Sequence, residues 1–287
     1  MSTTTLKRLP STPRPFRLPL GGDRFLLALS IVCGLLALLA VFGPLLAPYP
    51  PAQTDILAAG QGPTGAHLLG TDSLGRDILS RLLAGARLSF AGPGIIVLVS
   101  SVLGTAVAVT SAWIGGAFDS AVKRVLNVVF AVPGILVAVL AVALFGRGFT
   151  ALVIALSLIY TPYVARVVRS VAATERRRPY IEALQLAGLS GWRICTRHIL
   201  RNVLPIVLAQ ATIGFGSALM DFGAMSFLGL GVQPPSAEWG LMVSDGRSEI
   251  LDGALQQSLW AGTMIVVTVV CFNILGARIS SKIGAKR

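Results

Sequence analysis

Six runs of apolar residues set the frame of this chain. They cover positions 25–47, 88–114, 125–145, 149–165, 203–220 and 253–277, and none of them holds a charged residue. A helix rises 1.5 Å per residue, so runs of about 17–25 residues can cross the roughly 30 Å hydrocarbon layer of a bilayer. The pattern therefore predicts an all-α integral membrane protein with six transmembrane helices. The first run is too long for the core of an ordinary signal peptide and no cleavage site follows it, so it is expected to stay as an anchor.

The segments between the runs differ from one another. Residues 1–24 are Ser, Thr, Pro and Arg without periodicity and predict a disordered basic arm; residues 279–287 form a short basic tail. Residues 48–87 are polar and turn-rich, and from Ser73 onward they predict an amphipathic helix with Leu74, Ile78 and Leu82 on one side and Arg76, Asp77 and Arg81 on the others. Between the second and third runs, Asp119, Lys123 and Arg124 are read as a short loop. Pro133-Gly134 inside the third run marks a kink, either a hinge or a static bend, and Pro162 lies near the end of the fourth. Residues 224–252 are too broken by Gly and Pro for one helix and too apolar for an ordinary loop, which fits a re-entrant or surface-lying segment.

The segment 166–202 stands apart, because it is long, basic and punctuated. Pro179 can open a short helix at its first position, Glu182 then lies in the first turn where the helix dipole favours negative charge, and Gly188 fits the left-handed position just past the end. Ser190 can cap a second helix running into His198 and Leu200. Ile181, Leu184, Gln185 and Gly188 share one face of the first helix, with Tyr180 and Ala187 beside it, and this face is expected to dock in a protein groove.

Composition sharpens the class and charge sets the orientation. The 287 residues are 54% hydrophobic and 13% charged, with mean hydropathy +0.77, too little polar surface for a soluble protein of this length. The net charge of +12 could suggest nucleic acid, but the arginines are confined to the segments between apolar runs. With the arm, the Asp119 loop, 166–202 and the tail all on the cytoplasmic side, 19 of the 24 basic residues lie there and 8 of the 12 acidic residues lie outside. That is the positive-inside pattern, and it predicts cytoplasmic termini. Cys33, Cys195 and Cys271 have no paired spacing and are read as packing residues, and His67, alone among possible ligands, as a loop residue.

Glu182-Ala183-Leu184, Gly188 and His198-Ile199-Leu200 together resemble the EAA loop of bacterial ABC-importer permeases. Two positions depart from that pattern: Leu184 stands where a small residue is usual and Arg201 where proline is usual. Gly70-Thr71-Asp72, Gly75-Arg76-Asp77 and Gly85-Ala86-Arg87, and the string from Phe227 to Arg247, are similar to the C-type permeases of dipeptide, oligopeptide and nickel importers. The resemblance implies a type I ABC importer permease fold, in which 88–278 is the permease core and 179–189 a cytoplasmic coupling helix. It implies a multi-pass protein of the bacterial plasma membrane, paired with a homologous B-type permease, with one or two ATP-binding subunits that hold ATP and Mg, and with an extracytoplasmic substrate-binding protein. Tyr180, Glu182, Ala183, Leu184, Gly188 and Arg193 would then serve ATPase coupling. Arg176, Arg177 and Arg178 would either contact the ATPase rim or serve topology alone.

The chain itself has no GxxxxGK[ST] element, and Lys7, Lys123, Lys282 and Lys286 follow no glycine-rich loop, so no nucleotide site, cofactor or metal is assigned to it. No HExxH, Ser-His-Asp order or intramembrane carboxylate pair supports catalysis. The span interiors carry few polar groups, chiefly Asn127, Tyr160, Gln210, Thr212, Ser217 and Asn273, with Asp221 at the far end of the fifth run. These are the candidates for a permissive translocation path. They are too few for a proton relay, which weighs against a stand-alone channel or secondary transporter. The resemblance implies peptide as the cargo, with nickel chelate or another small solute as the alternative.

Overall fold

The computed structural model describes residues 23–251 and 253–284. Most of the basic arm and the last residues of the tail lie outside these. Among the described residues five helices are long and apolar enough to cross a membrane, and a bent helix pair supplies a sixth crossing.

Helix α1 (Asp23–Leu46) leaves its apolar side chains outward, with Leu27, Leu35 and Leu45 all exposed, as a lipid-facing anchor should. After a connection fastened by a 3-10 turn (Ile56–Ala58), α2 (Ile78–Ile114) runs unbroken for 37 residues. The expected amphipathic helix and second span are thus one element. Residues 73–77 are not helical, because the Asp77 carboxylate accepts from the Ser80 amide and starts the helix only at Ile78. Arg76, Asp77 and Arg81, expected on the polar sides, are buried.

The expected Asp119 loop is also helical. Helix α3 (Gly116–Ala131) carries Asp119, Lys123 and Arg124, then breaks at Pro133 into α4 (Gly134–Phe145). The two axes bend by 85°, far more than a kink inside one straight span. With no amide hydrogen on Pro133, and with Val132 driven to extended backbone ahead of it, the helix cannot continue.

Helix α5 (Phe149–Arg176) packs along α2, and the approach is close: a Cβ on Gly104 would come within 2.8 Å of Val164. Then come α6 (Pro179–Leu186), α7 (Gly191–Ile194) and a π-turn (Cys195–Ile199) that leads without a break into α8 (Leu200–Phe227). Helices α9 (Trp239–Asp245) and α10 (Arg247–Leu251) form the outer segment, and α11 (Gln256–Gly284) closes the bundle. The outer segment is a folded cap. Trp239 is fully buried, its indole N–H donating to the Leu82 carbonyl at 3.0 Å. Glu238 caps α9 by accepting from the amides of Gly240 and Leu241, both at 2.9 Å. Burial nonetheless holds the Glu238 carboxyl above its ordinary range.

Three apolar clusters stack along the bundle. One of them joins the inner ends of α2 and α5 to α6, α7, the π-turn and the start of α8. It is the seat of the punctuated loop.

Candidate functional site

The loop is positioned from Glu175 upward. This carboxylate lies near the end of α5, is buried, and accepts from the Tyr180 hydroxyl at 2.8 Å and from the Asn202 amide nitrogen at 2.7 Å. Arg178 Nε stands 3.0 Å from its second oxygen. One side chain therefore ties the end of α5, the first turn of α6 and the start of α8. Burial and the Glu175 hydrogen bond together push the Tyr180 phenol above its ordinary range, so it stays a donor at neutral pH. The sequence marks Tyr180; nothing in it singles out Glu175 from the other acidic residues.

Helix α6 forms as its residues predict. Pro179 occupies its first turn and Glu182 the same turn. Gly188 follows with φ of +79°, a conformation that costs other L-residues about 1–2 kcal/mol. The turn is closed by two bonds, from the Gly188 amide to the Gln185 carbonyl at 3.0 Å and from the Leu189 amide to the Leu184 carbonyl at 3.1 Å. Leu184 and Leu189 both pack on the cluster below, completing a Schellman end with its apolar contact. Ser190 takes the N-cap position of α7, but its side chain makes no capping bond.

The facing of α6 differs from the expectation. Ile181 is only 1% exposed, and Leu184 and Tyr180 are half-buried against the chain's own core, so this part of the stripe seats the helix. Glu182, Ala183, Gln185, Leu186, Ala187 and Gly188 are the outward surface. Leu186, 90% exposed, and Trp192, 80% exposed, add two large apolar groups to it. Periodicity reveals a stripe, but not which neighbour covers it.

The arginines also divide. Arg176 donates to the Ala112 carbonyl at 3.2 Å and stacks over the Trp113 ring, and Arg178 pairs with Glu175. Arg177 and Arg193 are exposed. Farther up α5, Arg169 makes a two-pronged contact with Asp119, and Arg166 donates to Asn127 at 2.9 Å while lying over Phe130, so both anchor α3.

The candidate path residues do not gather in one place. Tyr160 donates to Asp221 at 2.8 Å, joining α5 to α8. Asn127 is held by Arg166 instead. Asn273 packs on Gly216, where an added Cβ would lie 3.0 Å from its oxygen. Ser217 is half-buried, and Gln210 has a buried oxygen with no hydrogen-bond partner.

At the opposite end of the bundle, where α2 starts, lies a buried ionic cluster. Asp72 and Arg81 are both fully buried; Asp72 accepts from Arg76 Nε at 2.6 Å and lies 3.6 Å from Arg81 Nε. Arg81 and Arg76 also reach Asp245, at 3.3 and 3.7 Å. Glu249 accepts from the Ser73 amide at 2.6 Å. His67 pairs with Asp77 at 2.9 Å and stacks near Tyr49. The Gly-Thr-Asp and Gly-Arg-Asp string thereby locks the outer loop to α9 and α10. Among the described residues no group of three or more His, Cys, Asp or Glu is placed to hold a metal ion.

Comparisons with known proteins show which family has this build. The chain belongs to the family of binding-protein-dependent transport system inner membrane components, which it matches over residues 100–285. Residues 24–63 match the N-terminal transmembrane domain of oligopeptide transport permease C. It is 36% identical to the dipeptide transport system permease protein of Alkalihalophilus pseudofirmus, over 83% of this chain and 78% of that one. It is also 36% identical to the nickel transport system permease protein of Escherichia coli K12, over 86% and 88%. The fold is that of the methionine ABC transporter MetNI in an inward-facing form, with a TM-score of 0.58 at 18% identity over 71% of this chain. The family is a membrane component of importers and not itself catalytic.

Proposed function

We propose that this chain forms half of the translocation path of an ATP-driven peptide importer and couples that path to a partner ATPase through α6. The observation that carries the coupling is the two-sided build of α6: Ile181, Leu184 and Tyr180 fasten it to the ends of three membrane helices, while Ala183, Leu186 and Trp192 face outward beside it. A helix so fastened passes a push to α5 and α8 as a rigid lever. Closure of an ATP-binding pair holding ATP and Mg would move α6, and the attached spans would tilt between inward-open and outward-open states. Exposed apolar groups ringed by Arg177 and Arg193 suit a groove with an acidic rim.

The remaining parts follow from the family and the charge pattern. The complex pairs this chain with a homologous B-type permease, with one or two ATP-binding subunits and with an extracytoplasmic binding protein, in the bacterial plasma membrane with both termini in the cytoplasm. Peptide is the cargo favoured by the dipeptide relative, while the nickel relative supports a metal chelate as the second reading. Mild extraction of a tagged chain, with its companions identified by mass spectrometry, tests both. The expected companions are a second permease, ATP-binding subunits and a binding protein whose ligand is a peptide. Recovery of the chain alone, under conditions that preserve known complexes, would contradict the coupling role; a metal chelate in the binding protein would replace the cargo.

A further inference from the structure

A cavity of about 580 Å³ lies between the inner half of α2 and the stretch from Gly191 through the π-turn to Val207 of α8. Its walls are mostly apolar, with Trp113, Trp192, Cys195 and Leu204 among them and no Asp, Glu, Lys, Arg or His. Ser101 and Thr105 line it from α2, and neither hydroxyl has a hydrogen-bond partner, although they are only 9% and 7% exposed.

Among the described residues Ser157 of α5 and Ser226 of α8 share that state, but neither lines the cavity. Thr161, Thr196, Thr212, Thr263 and Thr268 each donate to the carbonyl four residues back, the ordinary way for a hydroxyl to be satisfied in a membrane helix. Ser101 and Thr105 do not. Four residues apart, they share one face of α2 with about 6 Å between their Cβ atoms, and each can donate as well as accept. A buried polar group without a partner costs about 1–3 kcal/mol, a cost that a hydrogen-bonding occupant of the cavity would relieve.

Depth narrows what enters. Thr105 lies about 14 Å, and Ser101 about 20 Å, from the inner end of α2 at Ile114. The polar groups are thus near mid-membrane, deeper than the apolar Trp113 and Ile114 that line the cavity toward the end of α2. A phospholipid would place its tails beside the hydroxyls and leave them unsatisfied. The absence of charge in the walls disfavours a free ion or a charged terminus. Amide groups flanked by uncharged side chains satisfy both features.

We infer that this cavity receives the uncharged part of the cargo peptide on its way to the cytoplasm, with Ser101 and Thr105 hydrogen-bonding its amide groups and the apolar walls accepting its side chains. The inference rests on the peptide-importer reading. One wall belongs to the loop that follows α6, and its π-turn is the kind of helix irregularity that often marks functional sites. Movement of α6 therefore changes the shape of the cavity directly, which makes it a place where coupling and cargo meet.

The test uses the whole importer in proteoliposomes with ATP and a tripeptide carrying one benzoylphenylalanine. Irradiation during turnover should attach the probe to the stretches 101–114 and 191–207, unlabelled trialanine should compete, and the Ser101→Ala, Thr105→Val double variant should lower trialanine uptake about three- to tenfold. Ala106→Phe, which narrows the same wall, should lower it further. Measurable uptake with adducts only elsewhere, adducts that trialanine does not displace, or unchanged uptake by the double variant would overturn the assignment. If the native importer takes up no peptide, the cargo reading fails first, visible in the uptake assay before any adduct is mapped, and the peptide site falls with it.

Discussion

The outer cap and the inner loop both carry arginines, yet they use them in opposite ways. Outside, Arg76 and Arg81 are buried among Asp72 and Asp245 and close a lock between segments more than 160 residues apart. Partial burial raises the Asp245 carboxyl against the pull of both arginines. Inside, the arginines are more numerous but mostly peripheral, and the helix they surround is seated by apolar burial and one buried carboxylate. Whether a given arginine is structural depends on what covers it. The cap is held by a buried ionic lock, whereas the loop that carries α6 is seated on an apolar cluster and leaves one face of α6 exposed.

Substitutions separate the two regions. Arg81→Met should have the largest effect, because it leaves Arg76 alone to balance Asp72 and Asp245; breaking a buried pair costs about 3–5 kcal/mol. Thermal unfolding of the purified complex should shift accordingly, and hydrogen exchange should rise in 55–77 and 239–251 while 179–189 stays protected. If exchange rises equally at both ends, the regions are one cooperative unit and the contrast is wrong. Glu175→Gln should cost less, about 1.5–3 kcal/mol for hydrogen bonds to a charged group, and raise exchange in 179–202 only, with ATP hydrolysis losing its link to uptake.

Gly188→Leu comes next. No neighbour lies within 4 Å of an added Cβ there, so its cost is the left-handed backbone alone, about 1–2 kcal/mol. The protein should insert and assemble, but uptake per ATP hydrolysed should fall. Gly188→Asn, which tolerates that backbone better, should restore most of the ratio. Equal behaviour of the two variants would show that the backbone conformation at 188 is not what matters.

Much of this was readable from local sequence. Pro179, Glu182 and Gly188 each carry a positional meaning that needs no partner, and α6 has the limits they imply. Pro133-Gly134 announced a break, but the 85° bend depends on how α3 is held to α5 through Asp119 and Arg169. The ionic lock was invisible for the same reason: Arg81 meets Asp245 across 164 positions, and its amphipathic spacing suggested a solvated face instead. Ser101 and Thr105 looked like the other small residues of a span, since spacing does not tell a back-bonded hydroxyl from a free one. The π-turn after Ile194 has no signal in the residues that form it.

The central claim is that the outward face of α6 meets an ATP-binding subunit. A cysteine at Ala183, Ala183→Cys, placed in the assembled complex with Cys33, Cys195 and Cys271 changed to Ser and treated with a short reagent that joins a thiol to an amine, tests it directly. The account predicts a crosslink to the ATP-binding subunit whose yield changes when ATP is added. A crosslink only to a second copy of this chain, or none while a control cysteine on the same subunit reacts, would contradict it.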